Sequence, residues 1–340
     1  MTEKPELDER KASVLRAIVE EYVETAQPVG SQTVARSSGL GVSSATIRND
    51  MTILEREGYI AQPHTSAGRV PTDRGYRFFV DNFTQKGPLP PQQYRAVADF
   101  FESSHRALED LLNETSQLLA RLSRHAAVVV GPQPDQAVVR GVQLVRLHER
   151  SALLVVVLSN GAIERHVLQV SDDVDDRQLA AAAQAVEPQL LGRTWGTVPD
   201  TVVTGEPAVD QVAADIRAGL LSLATPDHRE PLFVGGVSNL AAEQEAFSTT
   251  QSAARLLEML EHHVVVVSVV HELLQAGLTV RIGSENQLEE LRECAIVLAP
   301  YEVDGQAAGV VGVLGPTRMD YRHALSAVSA VSQQLGRHLS

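Results

Sequence analysis

The sequence predicts a multidomain α+β protein, and three observations support this class. A length of 340 residues suits two or three domains. Helical stripes and a short hairpin fill the first 86 residues, and a run without Gly or Pro follows from 92 to 125. Beyond His125, apolar strand-like runs alternate with alanine-rich stretches. We therefore expect a small N-terminal domain, a connecting helix and a larger mixed body.

The N-terminal segment has the order of helices found in a helix-turn-helix. Pro28 to Gly30 predicts a turn, and Ser31 is expected to cap a short helix that ends near Ser38. A longer helix is expected to begin at Ser43 or Ser44. Apolar stripes mark the first and third helices: Leu15, Ile18, Val19 and Tyr22 in the first, and Ile47, Met51 and Leu54 in the third.

A hairpin follows the third helix. Gly58 is expected to end that helix, because glycine is favoured just past a helix C-terminus. Tyr59 to Gln62 and Arg69 to Val70 predict two short strands, closed by the small-residue loop from His64 to Gly68. Thr72 is expected to cap the next helix. This hairpin is placed to serve as the wing of a winged-helix module.

The exposed face of the third helix and the hairpin predict contacts with double-stranded DNA. Short polar groups and guanidinium forks suit base edges and phosphates of a major groove. Arg48 is expected to read bases, and Arg69 to contact the backbone. A three-helix domain that binds protein stays open as an alternative, since polar helix faces are often only solvated. The expected DNA-binding residues are Ser43, Ser44, Thr46, Arg48, Asn49, Thr52, His64, Thr65, Ser66 and Arg69.

The charge of the chain is unevenly distributed. The formal net charge is −14, which by its sum argues against nucleic acid. Residues 1–86 carry 11 basic and 12 acidic side chains, whereas the remainder carries 18 basic and 31 acidic ones. Arg48, Arg69, Arg74 and Arg77 fall in the segment expected to read DNA, and an acidic body repels DNA and leaves only that face available. We expect the affinity for DNA to fall as salt rises and to be modest for one N-terminal domain (head). Two heads are therefore needed for useful binding.

Three strings in the sequence resemble the signatures of a known family. They are SSATIRNDM from Ser43, PHTSAGRVPTDRGYRFFVD from Pro63 to Asp81, and GPTRMDY from Gly315 to Tyr321. Together they resemble HrcA, the heat-inducible transcription repressors of bacteria. The resemblance is nearly unbroken from Val29 to Asp81 and returns near the C-terminus, so it is far more specific than a short motif.

The resemblance implies a domain plan and a function. It implies a homodimeric repressor that binds the inverted-repeat CIRCE operator ahead of the groE and dnaK operons, and that the chaperonin GroEL keeps active until heat shock. The implied domains are a winged helix-turn-helix at 1–86, a Pro-rich boundary and connecting helix at 87–125, a GAF-like α/β domain at 126–172 and 251–340, and an inserted dimerising domain at 173–250.

The connecting segment has heptad spacing of its own. Its apolar and small residues step alternately by three and four, as in a coiled coil. Two polar members weaken the seam, so one long amphipathic helix packed on its own domain is an equally good interpretation. The seam consists of Phe101, Ser104, Leu108, Leu111, Thr115, Leu118 and Leu122.

The body is expected to alternate strands and helices. The first four strands are interpreted as one antiparallel sheet with a turn at Asn160-Gly161. The expected strands are Ala127–Val130, Gly141–His148, Ala152–Leu158, Ala162–Val170, Val264–Val270, Leu278–Ile282, Ala295–Tyr301 and Ala308–Leu314, and the expected helices are Gln178–Leu191, Gln211–Leu223 and Gln251–His262.

A last helix is expected after Gly315-Pro316. Thr317 is expected to cap it, with Asp320 reaching back in a capping box. GPTRMDY is thus a strand-to-helix junction, and a ligand role for Arg318 is the less favoured interpretation. Its packed face would be Tyr321, Leu325, Val328, Val331 and Leu335.

Residue patterns for an enzyme are weak. His148-Glu149 and His271-Glu272 lack the second histidine of a zinc protease, and glycines 309, 312 and 315 do not match the dinucleotide fingerprint. The single cysteine, Cys294, excludes an internal disulfide and is expected to be a small buried hydrophobe. We expect no catalytic residue, no metal and no cofactor.

Location and rival functions complete the expectations. The N-terminal residues lack the layout of a signal peptide, and the longest apolar run is too short to cross a bilayer, so we expect a cytoplasmic, nucleoid-associated protein. One rival is a metabolite-responsive regulator that senses a small effector through the GAF-like domain. The other is an interaction module whose winged helix binds protein.

Overall fold

The computed structural model describes residues 7–64, 67–84, 87–104, 107–132, 137–159, 161–197, 199–224, 232–242 and 277–340, together with 256, 258 and 260. Several expectations lie outside these residues. They are the contacts by Thr65 and Ser66, the turn residue Asn160, the strand Val264–Val270 and most of the helix Gln251–His262.

The N-terminal unit contains four helices and a hairpin. Its elements are α1 (Glu9–Thr25), α2 (Ser31–Ser37), α3 (Ser44–Arg56), β1 (Ile60–Ala61), β2 (Val70–Pro71) and α4 (Asp73–Phe83). As expected, Ser43 caps α3 by accepting from the Thr46 amide, and Thr72 caps α4 by accepting from the Gly75 amide. The cap expected at Ser31 is wrong: Gly30 is the N-cap of α2, and Ser31 is its buried first residue.

The turn after α3 is fixed by Gly58. Its φ of +78° is left-handed, a conformation that glycine adopts without a steric penalty. The Tyr59 amide donates to the Leu54 carbonyl at 2.9 Å and the Gly58 amide donates to the Glu55 carbonyl at 3.0 Å, which is a Schellman motif. The predicted helix end is confirmed, and the turn sends the chain directly into the hairpin.

The segment from 92 to 125 is two helices, which corrects the expectation of one. α5 (Pro91–Glu102) and α6 (Leu108–Ser123) are separated by a break that includes Ser103 and Ser104. The Ser103 hydroxyl donates to the Asp99 carbonyl at 2.7 Å, a local bond that competes with helix continuation. Leu111, Thr115 and Leu118 are buried within the chain's own core, so the structure favours intramolecular packing over a coiled coil.

A five-stranded antiparallel sheet forms the centre of the body. Its strands are β3 (Ala126–Val130), β7 (Leu232–Gly235), β8 (Thr279–Ile282), β9 (Cys294–Val303) and β10 (Gln306–Pro316). Across the sheet they lie in the order β7-β3-β10-β9-β8. β7 and the short helix α9 (Val237–Ala242) that follows it were not predicted.

The two faces of this sheet are buried by different partners. Residues of one parity, such as Val129, Val297 and Val311, join the core that includes α6 and the last helix, α10 (Tyr321–Leu339). Residues of the other parity, such as Val128 and Leu298, pack with Leu240, Leu256 and Leu260. The first of these cores continues into the N-terminal unit, so the two share one apolar interior.

A separate unit lies between β3 and β7 in the sequence. The strands β4 (Val139–His148), β5 (Ser151–Leu158) and β6 (Ile163–Gln169) form a three-stranded antiparallel sheet, and the helices α7 (Asp176–Leu190) and α8 (Pro207–Ala224) cover one face of it. The expectation of one sheet for the first four strands is wrong, because β3 pairs with β7 and β10 instead.

The C-terminal helix α10 packs as expected but is capped differently. Tyr321, Leu325, Val328, Val331 and Leu335 are all buried. Asp320, not Thr317, is the N-cap, since its carboxylate accepts from the His323 amide at 3.1 Å. The Met319 amide donates to the Pro316 carbonyl at 3.1 Å, so the residues after Pro316 form a turn. The helix therefore begins only at Tyr321, later than a cap at Thr317 would place it. The predicted α+β class is confirmed.

Candidate nucleic-acid interface

The helix α3 presents a polar face away from its core. Ile47, Met51 and Leu54 are buried, whereas Arg48 and Asn49 are exposed. Ser43 and Thr52 are also exposed, and Ser44 and Thr46 are half-buried at the start of the helix. In the described part of the chain, no hydrogen bond or ion pair engages the Arg48 guanidinium. The expected reading residues therefore lie on one accessible surface.

A buried ion pair fixes α3 against α1. Asp50 faces the interior with 2% of its side chain exposed, and Arg10 of α1 binds both of its oxygens. The Arg10 Nε lies 2.9 Å from Oδ2 and Nη2 lies 3.0 Å from Oδ1. The hydrogen bond and charge of Asp50 raise the pKa of Arg10. This pair was not predicted from the sequence, although an acid within an apolar helical stripe signals a buried partner.

The hairpin is joined to the rest of the unit through Val29. The backbone of Val29 exchanges hydrogen bonds of 2.8 and 2.9 Å with Arg69, which adds a third chain segment beside β2. A side chain at Gly68 would lie 2.5 Å from the Val29 carbonyl oxygen, so only glycine fits this approach. His64 is exposed near the hairpin tip.

Arg69 is held by a partner on α3. Its Nη2 lies 2.8 Å and its Nε 3.1 Å from Oε2 of Glu55. The side chains of Arg69 and Glu55 are 20% and 33% exposed. The guanidinium is thus oriented beside α3 with its charge partly neutralised, a contact that was not predicted from the sequence.

Arg74 and Arg77, which also fall in the segment expected to read DNA, each have a structural partner. Arg74 donates to the Glu57 carbonyl at 2.8 Å and stacks on Tyr59, with Cζ 4.5 Å from the ring centre. Arg77 pairs with Glu285 in the body, and the hydrogen bond to Glu285 is the main cause of its raised pKa. Arg77 therefore serves the contact with the body, whereas Arg74 stays exposed beside the C-terminal end of α3.

Other chemistry is sparse in the described part of the chain. No cluster of three or more His, Cys, Asp or Glu residues there has the geometry of a metal site. Cys294 is fully buried in β9 as expected, and burial raises the pKa of its thiol to about 12. None of the helices described reaches the length and apolarity needed to span a membrane.

Comparisons with known proteins agree on one family. The model of the HrcA protein C terminal domain matches residues 109–325. The heat-inducible transcription repressor HrcA of Kineococcus radiotolerans is 42% identical over 98% of this chain and 99% of its own length. The repressor of the same name from Nocardia farcinica is 39% identical over 98% and 97%. The crystal structure of a hypothetical protein superposes with a TM-score of 0.65 at 26% identity, covering 98% and 97% of the two chains.

Proposed function

The chain belongs to the HrcA family of heat-inducible transcription repressors, and we propose that it represses by placing two copies of α3 in the major groove of an inverted-repeat operator. Blocking transcription needs only occupancy of the DNA, so this activity requires no chemical step. By family resemblance, the operator is the CIRCE element ahead of the groE and dnaK operons, and the protein acts in the cytoplasm at the nucleoid.

The observation that carries this proposal is the accessible face of α3. Arg48 and Asn49 stand at its centre, and Ser44 and Thr52 extend it by one turn in each direction. Arginine pairs with guanine and asparagine with adenine through two hydrogen bonds each. The helix is anchored from behind by Asp50, so the side chains project from a fixed support.

The fold suggests how the domains are divided. We propose that residues 7–83 are the winged helix-turn-helix, with the β1–β2 hairpin as the wing. The five-stranded sheet with α6 and α10 corresponds to the GAF-like domain. The inserted domain then spans about 137–224, because β4, β5 and β6 share their apolar core with α7 and α8. The expected boundary at 173 would cut through that core.

The uncovered face of the three-stranded sheet suits contact with a second copy of the chain. The face of this sheet opposite α7 and α8 carries Val145, Leu153 and Val167 in one cross-strand row. Val145 and Val167 are 47% and 51% exposed, and Leu147, Val157 and Ile163 are exposed on the same face. Exposed apolar side chains grouped on one face of a sheet are typical of an interface. We assign it to the homodimer that an inverted-repeat operator requires.

Heat acts in this proposal by removing active dimers, since folded proteins are only marginally stable. The chaperonin GroEL, by family resemblance, restores the folded repressor until unfolded clients occupy it during heat shock. Repression of chaperone genes then lapses until the clients are cleared.

Fluorescence anisotropy with labelled duplexes tests the proposal. We expect the protein to bind the inverted repeat found upstream of chaperone genes at least tenfold more tightly than a scrambled duplex of equal composition. Affinity should fall as salt rises. Equal affinity for both duplexes at low salt, with circular dichroism showing a folded protein, would count against it. Binding that appears only after a metabolite is added would favour an effector-responsive regulator.

A further inference from the structure

The first turns of α4 are fastened to the edge of the five-stranded sheet by charged contacts. The Arg77 Nε donates to Oε1 of Glu285 at 2.7 Å, and Nη2 donates to the Val280 carbonyl at 2.6 Å. Asp73 accepts from the Ser284 amide, with 2.8 Å between Oδ2 and the nitrogen. One helix of the N-terminal unit is therefore held at two points on β8 and the turn that follows it.

The backbone of the body is shaped for this contact. Gly283 has a left-handed φ of +53°, and a Cβ there would lie 2.3 Å from both carboxylate oxygens of Asp73. Glu285 also accepts from the Ile282 amide at 2.9 Å, which orients its carboxylate toward Arg77. The turn from 282 to 285 thus presents an amide and a carboxylate to an acid and a base on α4.

A second set of contacts holds the other end of α4. Arg322 of α10 donates to Oε1 of Glu20 at 2.9 Å and to the Phe83 carbonyl at 3.2 Å. The rings of Tyr76 on α4 and Tyr321 on α10 lie 5.8 Å apart and add a further contact with the body. Contacts at both ends of α4 resist tilting and rotation of the N-terminal unit, which carries α3, relative to the body.

We propose that Asp73 and Arg77 are positioning residues that set the direction of α3 relative to the body, and thereby the half-site spacing that two heads of a dimer accept. The inference rests on the proposed function, since it assumes that α3 binds DNA. Half-site spacing is a geometric property of the dimer, and a loosened attachment lowers the effective concentration of the second head. Neither residue needs to touch DNA.

The three strings that resemble the HrcA family have separate roles under this proposal. SSATIRNDM supplies the exposed face of α3, whereas the DRGYRFF segment supplies Asp73, Tyr76 and Arg77 to the joint. GPTRMDY supplies Tyr321 to the same joint. The first string therefore supplies the residues that contact the operator, and parts of the other two fix the angle of α3 relative to the body.

The test compares Arg77→Glu with the double variant Arg77→Glu, Glu285→Arg, which restores an ion pair in reverse. The matched control is Arg150→Glu, because Arg150 forms an exposed ion pair with Asp172 in the three-stranded unit. Each protein is titrated onto a single half-site and onto inverted repeats whose spacers are lengthened or shortened by one or two base pairs. Circular dichroism verifies folding.

We expect the wild type and the control to bind one spacing best. Arg77→Glu should keep its half-site affinity, lose about tenfold or more on the best repeat, and bind all spacings similarly. The double variant should regain the spacing preference. An unchanged spacing profile in Arg77→Glu would overturn the proposal, because a merely stabilising ion pair would not alter it.

A second measurement needs no DNA and separates this inference from the proposed function. Spin labels are placed on Ala45→Cys in α3 and Glu302→Cys in β9, both exposed positions, in a Cys294→Ser background. We expect a narrow distance distribution in the parent protein and a broad one with Arg77→Glu. A distribution that stays narrow refutes the joint. Failure of the wild type to bind any duplex, with a distribution that broadens as expected, refutes instead the proposed function and the spacing role that depends on it.

Discussion

Arg10 on α1 and Asp50 on α3 form a two-point ion pair in which the acid is almost completely buried and the base is half exposed. The side chain of Asp50 is 2% exposed and that of Arg10 is 50% exposed. The pair supports one side of α3, while Arg48 and Asn49 are exposed on the other. The asymmetry of burial predicts that loss of the arginine is the more damaging change to α3, since it leaves a buried carboxylate without its partner.

Arg10→Ala should therefore destabilise the N-terminal unit by about 1–3 kcal/mol. Arg36→Ala on the exposed surface of α2 is the matched control and should change stability by no more than about 0.5 kcal/mol. Urea unfolding followed by circular dichroism measures both. Equal midpoints for the two variants would show that the ion pair contributes nothing to the support of α3.

Arg48→Ala should weaken binding to the operator by about 1–3 kcal/mol and relax the base preference at one position in each half-site. The reason is the loss of a guanidinium that can pair with a base through two hydrogen bonds. Anisotropy titrations on the operator and on duplexes with single base changes measure the effect. Arg150→Ala, far from α3 in sequence and exposed, should leave both properties unchanged. Unaltered affinities in Arg48→Ala for operator and random duplex would make the assignment of α3 wrong.

Arg69 and Glu55 predict a pair of opposite effects. Arg69→Ala should weaken binding to all sequences alike, because a contact with phosphate carries no base information. Glu55→Gln should strengthen binding uniformly, since it removes the carboxylate that partly neutralises Arg69. Salt titrations should show a slope reduced by about one for Arg69→Ala. Loss of base preference in Arg69→Ala would instead place this residue at a base.

The apolar face of the three-stranded sheet predicts a dimer-breaking substitution. Val167→Asp introduces a charge at one end of the Val145, Leu153 and Val167 row, so we expect it to shift the protein toward monomer. Ala180→Asp adds the same charge to an exposed position of α7 and should leave the dimer intact. Sedimentation equilibrium distinguishes the two. A Val167→Asp protein that remains dimeric would move the interface elsewhere.

Cys294 provides a reporter of opening in the body. Burial raises its pKa to about 12, and only the thiolate is nucleophilic, so the native protein should react slowly with a thiol reagent at pH 8. Heating into the range where operator binding is lost should speed the reaction, because opening of the five-stranded sheet exposes the thiol and returns its pKa toward the ordinary value. Rapid labelling at low temperature would contradict the burial of β9.

The sequence predicted those parts of the fold that depend on local chemistry. The ends of α3 and α4 follow from Ser43, Gly58 and Thr72, which act on amides and carbonyls within a few positions. The long strands β4, β5, β9 and β10 follow from segments rich in Val, Leu and Ile. The break between α5 and α6 was missed because the signal is two serines that are compatible with a helix until their packing is known.

Contacts between residues far apart in the sequence could not be predicted from local sequence patterns. Arg77 and Glu285 are 208 positions apart, and nothing in the local sequence around Arg77 distinguishes an arginine that joins two domains from one that faces DNA. The same limit explains why β3 was placed in the wrong sheet, since its apolar residues suit either neighbour. Candidate contacts on α3 were predictable because a helix has only two faces to assign.

The most direct test of the central claim is the stoichiometry of the complex with an inverted-repeat duplex. Sedimentation velocity with labelled DNA at low salt, with chaperonin supplied during refolding, should show two chains on each inverted repeat and weaker binding to an isolated half-site. Arg48→Ala should weaken binding to the inverted repeat while leaving the protein a dimer. A folded protein that stays monomeric and binds palindromic and random duplexes equally would contradict the account.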